Sequence, residues 1–206
     1  MENKIENKDK IILDLCGGTG SWSRPYKEAG YDVRLITLPD YDVLTYEPPD
    51  NVYGILAAPP CTEFSLRKCM YGRFNFEKGM ITVKACLDII WNCRYKNKLK
   101  FWAMENPVGF LRQFLGIPCF TFYQWQFGDL GIKRTDIWGY FKKPIPTVKV
   151  KPANCMYMGK DRMRKKRYII VAKECKPDWY KGKLDIHGIR AITPERFARA
   201  FYMANK

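Results

Sequence analysis

At 206 residues, with 47% apolar and 15% aromatic side chains, the chain has the makings of one packed core and a small appendage, which excludes a disordered polymer. The net charge of +15 favours a polyanionic partner, and it is concentrated: between Tyr140 and Lys183 stand fourteen basic residues against Asp161, Glu174 and Asp178. No apolar run approaches a membrane span and Met1 to Lys10 is charged, so a soluble cytoplasmic protein is expected. Eight cysteines without a CxxC pair, and a single histidine, His187, argue for reduced thiols and against a metal site.

In chain order, Ile11 to Leu15 reads as a short buried strand closed by the glycine-rich turn Asp14-Leu15-Cys16-Gly17-Gly18-Thr19-Gly20. Trp22 to Ala29 reads as a helix ended by Gly30, and Val33 to Leu38 as a second strand cut off by Pro39. A third strand near Val52 to Leu56 follows with little room for a helix between. Apolar residues at Met80, Val83, Leu87, Ile90 and Trp91 predict one face of an amphipathic helix over residues 77–95. Lys100 to Met104 predicts a strand running into Glu105-Asn106-Pro107, Val108 to Leu115 a short helix, and Phe120 to Gln126 another strand. Such alternation predicts an α/β fold with a mostly parallel sheet and helices on both faces.

Past Asp136 the pattern changes. Pro144, Pro146 and Pro152 interrupt a lysine-rich stretch, and Tyr168 to Ala172 could form a strand of a small hairpin. The expected division is a core of residues 1–139 plus 188–206, with a small basic insertion over 140–187. Thr193-Pro194-Glu195 then opens a helix, with Thr193 as its cap and Phe197, Ala200, Phe201 and Ala204 as its apolar face.

The glycine turn suits a ligand that approaches the main chain at a sheet edge, and it lacks the lysine of a phosphate-binding loop. Ala57-Ala58-Pro59-Pro60-Cys61-Thr62-Glu63-Phe64-Ser65 puts a thiol on a stiffened loop directly after a strand, where it is poised as a nucleophile. With Glu105-Asn106-Pro107 following in order, these three segments resemble the DNA (cytosine-5) methyltransferase family.

The resemblance implies a Rossmann-like, S-adenosylmethionine-dependent methyltransferase fold. It implies cofactor contacts from Asp14, Cys16, Gly18, Thr19, Gly20, Trp22, Asp40, Asp42 and Pro60. In this reading Cys16 stands where an aromatic is usual, Ser21 where a glycine is usual, and Trp22 supplies the aromatic surface; Asp40 substitutes for the ribose-binding acid, and Asp42 accepts from the adenine amino group. Either aspartate would otherwise cap a turn. Cys61 would add to carbon 6 of cytosine, and Glu105 would protonate ring nitrogen 3. Thr62 replaces a usual glutamine and Pro107 a usual valine.

Gly128 to Gly139 resembles the family's arginine-bearing segment, which makes Arg134 either a catalytic cation or a phosphate contact beside Lys133. Arg190 to Arg199 resembles the family's helix that organises the recognition region. Within the insertion Arg162, Arg164, Lys165, Lys166 and Arg167 are expected to contact phosphates, with Tyr157, Tyr168 or Trp179 stacking or wedging. The expected partner is double-stranded DNA with a flipped cytosine, read over one to three base pairs by a monomer. Two rival readings stand: the same chemistry on RNA, or a DNA-binding protein with a decayed catalytic core. No counterpart of the family's Gly-Asn-x-Val segment is found, and His187 receives no role.

Overall fold

Burial at all five positions of β1 (Ile11–Leu15) marks a strand covered on both faces, and every other element is arranged around it. In the computed structural model, which describes residues 6–70, 72–96, 99–129, 131–153, 179–180, 184 and 186–206, β1 pairs in parallel with β2 (Asp32–Ile36) and β3 (Val52–Ala57). β3 pairs in parallel with β4 (Phe101–Pro107). β6 (Arg134–Tyr140) runs antiparallel between β4 and β5 (Phe120–Tyr123), giving one six-stranded sheet in the order β2-β1-β3-β4-β6-β5. The sheet is therefore mixed and mostly parallel, with one reversed strand. As expected, no helix separates β2 from β3.

Alternation along the strands sends side chains to two separate cores. Leu13, Leu15, Ile55, Ala57, Met104 and Trp138 pack against α2 (Phe76–Lys96) through its Val83, Cys86, Ile89, Ile90 and Cys93. On the opposite face Ile12, Leu56, Phe101, Ala103 and Ile137 meet Tyr26 of α1 (Arg24–Glu28) and Phe197, Ala198 and Phe201 of the C-terminal helix. Two short helices, α3 (Arg112–Leu115) and α4 (Ile186–Ala191), precede that helix, α5 (Glu195–Ala204). Among the described residues no helix is long and apolar enough to cross a membrane.

Four local expectations change. Trp91 does not join the buried face of α2 but is 70% exposed, because the buried stripe steps through 83, 86, 90 and 93 and leaves position 91 about 100° away. β4 continues to Pro107, which shortens the following helix to Arg112–Leu115. β5 stops at Tyr123, where the Gln126 side chain accepts its N–H at 2.7 Å and the chain tightens into a 3-10 turn. Thr193 is not the cap of α5; the helix begins at Glu195, and the Thr193 carbonyl instead accepts from the Ser21 hydroxyl at 2.7 Å.

Two side-chain clamps hold the distal half. Arg112 donates to both carboxylate oxygens of the fully buried Asp136 at 2.6 Å, and Thr121 donates to Asp136 Oδ1 at 2.6 Å, joining α3, β5 and β6. Asn205 accepts the Lys142 N–H at 2.8 Å and donates to the Lys142 carbonyl at 2.9 Å, fixing the start of the basic insertion to the end of α5. Removing one partner of a buried ion pair strands the other, but the Arg112 side chain is 35% exposed and can turn to water. Asp136→Ala is therefore expected to lower stability by about 2–3 kcal/mol, less than the loss of a fully buried pair, as read from the urea midpoint.

Candidate active site

Strand order reverses about β1: the chain leaves β1 for β2 on one side and returns to β3 on the other. Outside the carboxyl ends of such neighbouring strands, the diverging connections leave a crevice. The two connections here are the glycine turn after β1 and the Pro59-Pro60-Cys61 loop after β3. They touch where Ala58 N–H donates to the Leu15 carbonyl at 2.9 Å.

The register explains how Cys61 is held. Pairing of β3 with β4 ends at Ala57 and Met104, whereas β4 runs three residues further on its pairing with β6. The flank of Glu105 and Asn106 is thus left to the proline loop. Asn106, fully buried, donates its side-chain amide to the Pro59 carbonyl at 3.0 Å. Ahead of the thiol, the Cys61 carbonyl accepts N–H groups from Phe64 at 3.0 Å and Ser65 at 2.9 Å, closing a turn. The Phe64 carbonyl accepts from Phe110 at 2.8 Å, and a Cβ at Gly109 would lie 2.2 Å from that carbonyl oxygen, so only glycine lets the two segments meet. Glu63 is tied by Lys68 and by the Asn75 N–H at 2.7 Å. Cys61 is fixed from both directions.

Glu105 and Lys133 form an ion pair at 3.5 Å with side chains only 15% and 24% exposed. Both act on Cys61. Burial pushes the Cys61 thiol up from its ordinary range, the Lys133 ammonium pulls it down, and the Glu105 carboxylate pushes it up. A thiol, a carboxylate and an ammonium group therefore share one partly buried corner at the carboxyl edge. Arg134, expected as either a catalytic cation or a phosphate contact, places its guanidinium 5.6 Å from the Tyr123 ring centre, across the β5–β6 pair. Lys133, just ahead of β6, pairs with Glu105, whereas Arg134, the first residue of the strand, is exposed.

The glycine turn is built over a carboxylate. Cys16, Gly18 and Gly20 have φ of 57°, 55° and 71°, all left-handed. Asp14 lies fully buried beneath, and a Cβ at Gly17 would fall 2.3 Å from its carboxyl group. Ser23 donates to Asp14 Oδ2 at 2.5 Å, while among the described residues Oδ1 finds no donor. Burial raises Asp14 to about 6. Gly18 is exposed, Thr19 and Gly20 are half-buried, and Pro60 is exposed on the facing loop. Asp42 accepts the Leu44 N–H at 3.0 Å, the turn-capping role, yet its charge also reaches Cys16 at the turn; Asp40 is exposed after β2.

One expected cofactor contact is corrected. Trp22 is 2% exposed and packs on Phe197 and Phe201 at 6.1 and 5.3 Å, in the core on the far face of the sheet. Cys16 is half-buried and packs against the core that contains Cys86 of α2. Ser21, in the place of the usual glycine, holds Thr193. Asn106 is the residue whose role the sequence left unread. Its only local signal was a position between Glu105 and a proline.

Arg162, Arg164, Lys165, Lys166 and Arg167, with Tyr157 and Tyr168, lie outside the described residues. Trp179 is described, and the Arg24 guanidinium sits 4.4 Å from its ring centre, so the exit of the insertion rests on the first residue of α1. Among the described residues no group of three or more His, Cys, Asp and Glu could hold a metal ion. No family model matches the chain, and no curated protein matches it.

The Asp14 carboxyl carries a testable sign. Its folded value of about 6 lies above the ordinary 3.8, so between these pH values the folded state binds more protons than the unfolded state. Stability should fall as pH rises through that window and level off above it, by about 3 kcal/mol in total. Urea unfolding from pH 4 to 7 should show the decline in the native protein and lose it in Asp14→Asn.

Proposed function

We propose that the protein transfers a methyl group from S-adenosylmethionine to carbon 5 of cytosine in DNA. The observation that supports this most is the gathering of Cys61, Glu105 and Lys133 at one corner of the crevice, across from the glycine turn. The six-stranded arrangement, with its ligand crevice between β1 and β3, is consistent with a Rossmann-like methyltransferase fold.

The residues of the turn fit the cofactor. A ligand with a cationic amine and a sulfonium needs carboxylates and close approach to main chain. Asp14 with its unpaired Oδ1, Asp42, and the left-handed turn through Gly18 and Gly20 offer both. No lysine or arginine stands between Ile11 and Ser23, which disfavours a polyphosphate. S-adenosylmethionine supplies an electrophilic methyl group when bound. Asp14, Gly18, Thr19, Gly20, Asp42 and Pro60 are the residues that would hold it. A cationic ligand favours ionised Asp14, so its affinity should rise with pH through about 6.

The chain's own residues account for activation of the base. Carbon 5 of cytosine is a weak nucleophile. The Cys61 proton passes to the Glu105 carboxylate as the sulfur bonds to carbon 6, and Glu105 hands that proton on to ring nitrogen 3, so that the ring electrons gather at carbon 5. Lys133 favours the thiolate that burial opposes, and the loss of the proton is completed only as the substrate arrives. Departure of the sulfur with loss of the carbon-5 proton restores the ring and Cys61. The target base must leave the duplex to reach this corner, at a cost of a few kcal/mol, and the basic insertion is the proposed source of compensating phosphate contacts.

The decisive experiment uses DNA carrying 5-fluorocytosine, whose carbon 5 has no proton to lose. With S-adenosylmethionine, a complex resistant to denaturation is expected for the native protein and none for Cys61→Ser. Glu105→Gln should lower turnover on ordinary DNA by roughly 10²–10⁴-fold. The rate at subsaturating DNA should climb as pH rises above neutrality, since the thiol is held above its ordinary range. Cofactor binding without an adduct would point to the decayed module, and an adduct on RNA but not DNA would move the substrate class.

A further inference from the structure

The 3-10 turn that follows β5 sorts its aromatic side chains into two environments. Phe122 and Phe127 enter the core on the α5 side of the sheet, and Gln124 is buried as well. Tyr123 and Trp125 belong to neither core. Tyr123 is exposed and Trp125 half-buried, and their rings stack with centres 6.0 Å apart and planes 22° from parallel. Exposed Arg134 adds its guanidinium 5.6 Å from the Tyr123 ring centre, within reach of a cation–π contact. Two aromatic rings and a planar cation thus gather at the surface, and core packing gives no reason for it.

Their place in the fold indicates a partner. β6 enters the sheet at Arg134, one rung past the pairing of Pro107 with Thr135 that ends β4, so the group lies on the same edge as Glu105. β5 stands two strands from β4, about 10 Å away. Backbone bonds tie the group to the segment that carries Lys133: Gln124 N–H donates to the Lys133 carbonyl at 3.2 Å, and Trp125 N–H to the Gly131 carbonyl at 3.0 Å. The Gln126 carbonyl accepts the N–H groups of Thr147 and Val148 at 2.9 Å, which brings the start of the basic insertion alongside. Exposed Lys149 and Lys151 follow directly, and the chain carries no acidic residue from Ile137 to Lys160. A partner for this surface must offer a flat ring to the stack and negative charge to the cations around it. A nucleobase on its phosphate backbone offers both. Inside a duplex both faces of a base are covered by its neighbours, so only an unpaired base has a face to give.

We infer that Tyr123, Trp125 and Arg134 form a stacking platform for an unpaired base of the nucleic-acid strand that brings the target to Cys61. Delivery of a target to Cys61 rests on the function proposed above; the grip on an unpaired base does not. The platform gives the protein a preference for DNA that is opened beside its target, because it takes up a base that pairing withholds. Phosphate contacts through Lys149 and Lys151 act on paired and opened DNA alike and supply no such preference.

The test compares, by fluorescence anisotropy at fixed salt, the affinity of the whole protein for a fully paired DNA duplex and for the same duplex with one bulged base beside a cytosine. The native protein should favour the bulged DNA by about 5–150-fold, the worth of one stacked base. Trp125→Ala should bring that ratio towards one, and Trp125→Phe should restore most of it. Lys149→Ala, by contrast, should weaken both DNAs equally and reduce the salt dependence of binding. In the native protein, 5-iodouracil placed as the bulged base should cross-link under ultraviolet light to the peptide carrying Tyr123 and Trp125, a result that needs no variant to fold. Equal affinity of the native protein for the two DNAs, a preference that survives Trp125→Ala, or cross-links confined to other peptides would overturn the inference. The 5-fluorocytosine adduct separates this outcome from the proposed function. An adduct without a bulge preference removes the platform and leaves the methyl transfer standing, whereas a Trp125-dependent preference without an adduct does the reverse. Binding to neither DNA would overturn both.

Discussion

The arrangement depends on a mismatch of strand lengths. β4 outruns β3 by three residues, and the loop that fills the gap must satisfy the polar groups left along its flank. Two prolines reduce the demand, because neither carries an N–H to be paired. The Pro59 carbonyl is met by the buried Asn106 amide. This one hydrogen bond aligns the end of β4 with the loop after β3. Glu105, the neighbour of Asn106, is thereby set beside Cys61. A thiol and a carboxylate separated by more than forty residues become a pair through a backbone problem and its local solution.

The same corner balances opposing electrostatic demands. Burial that keeps water from a reactive sulfur also disfavours its charged form. Glu105 adds to that penalty, and Lys133 offsets both, while Lys133 and Glu105 neutralise each other at 3.5 Å. The free site is consequently a thiol beside an ion pair, not a standing thiolate. A substrate that engages Glu105 would free Lys133 to act on the sulfur alone. Under the proposed function, activation would thus be coupled to occupancy.

Most of the core was legible because its signals are local. The run of β1, the glycines after it, the proline pair and the long amphipathic helix each announce themselves within a few residues. The sheet's reversed strand was not legible: nothing in residues 134–140 states which neighbours they pair with or in which direction. Lys133 and Arg134 are chemically alike, and only the register of β6 decides which enters the site. Trp22 resembled a ligand surface because it follows the turn. Its burial depends on Phe197 and Phe201, more than 170 residues away.

The departures at the turn acquire a physical reason when taken together. Ser21 occupies a glycine's place and donates to Thr193, just ahead of α5. Arg24, three residues on, underlies Trp179 at the exit of the basic insertion. At the other root of the insertion, Asn205 grips Lys142 through both of its hydrogen-bonding atoms. Both roots are thus tied to the elements that frame the glycine turn, α1 and α5. A bare glycine at position 21 would leave the Thr193 carbonyl unmatched and loosen the tie on that side. Among the described residues, the stretch from Ser21 to Arg24 is thus joined to Thr193 and Trp179, and the end of α5 to Lys142.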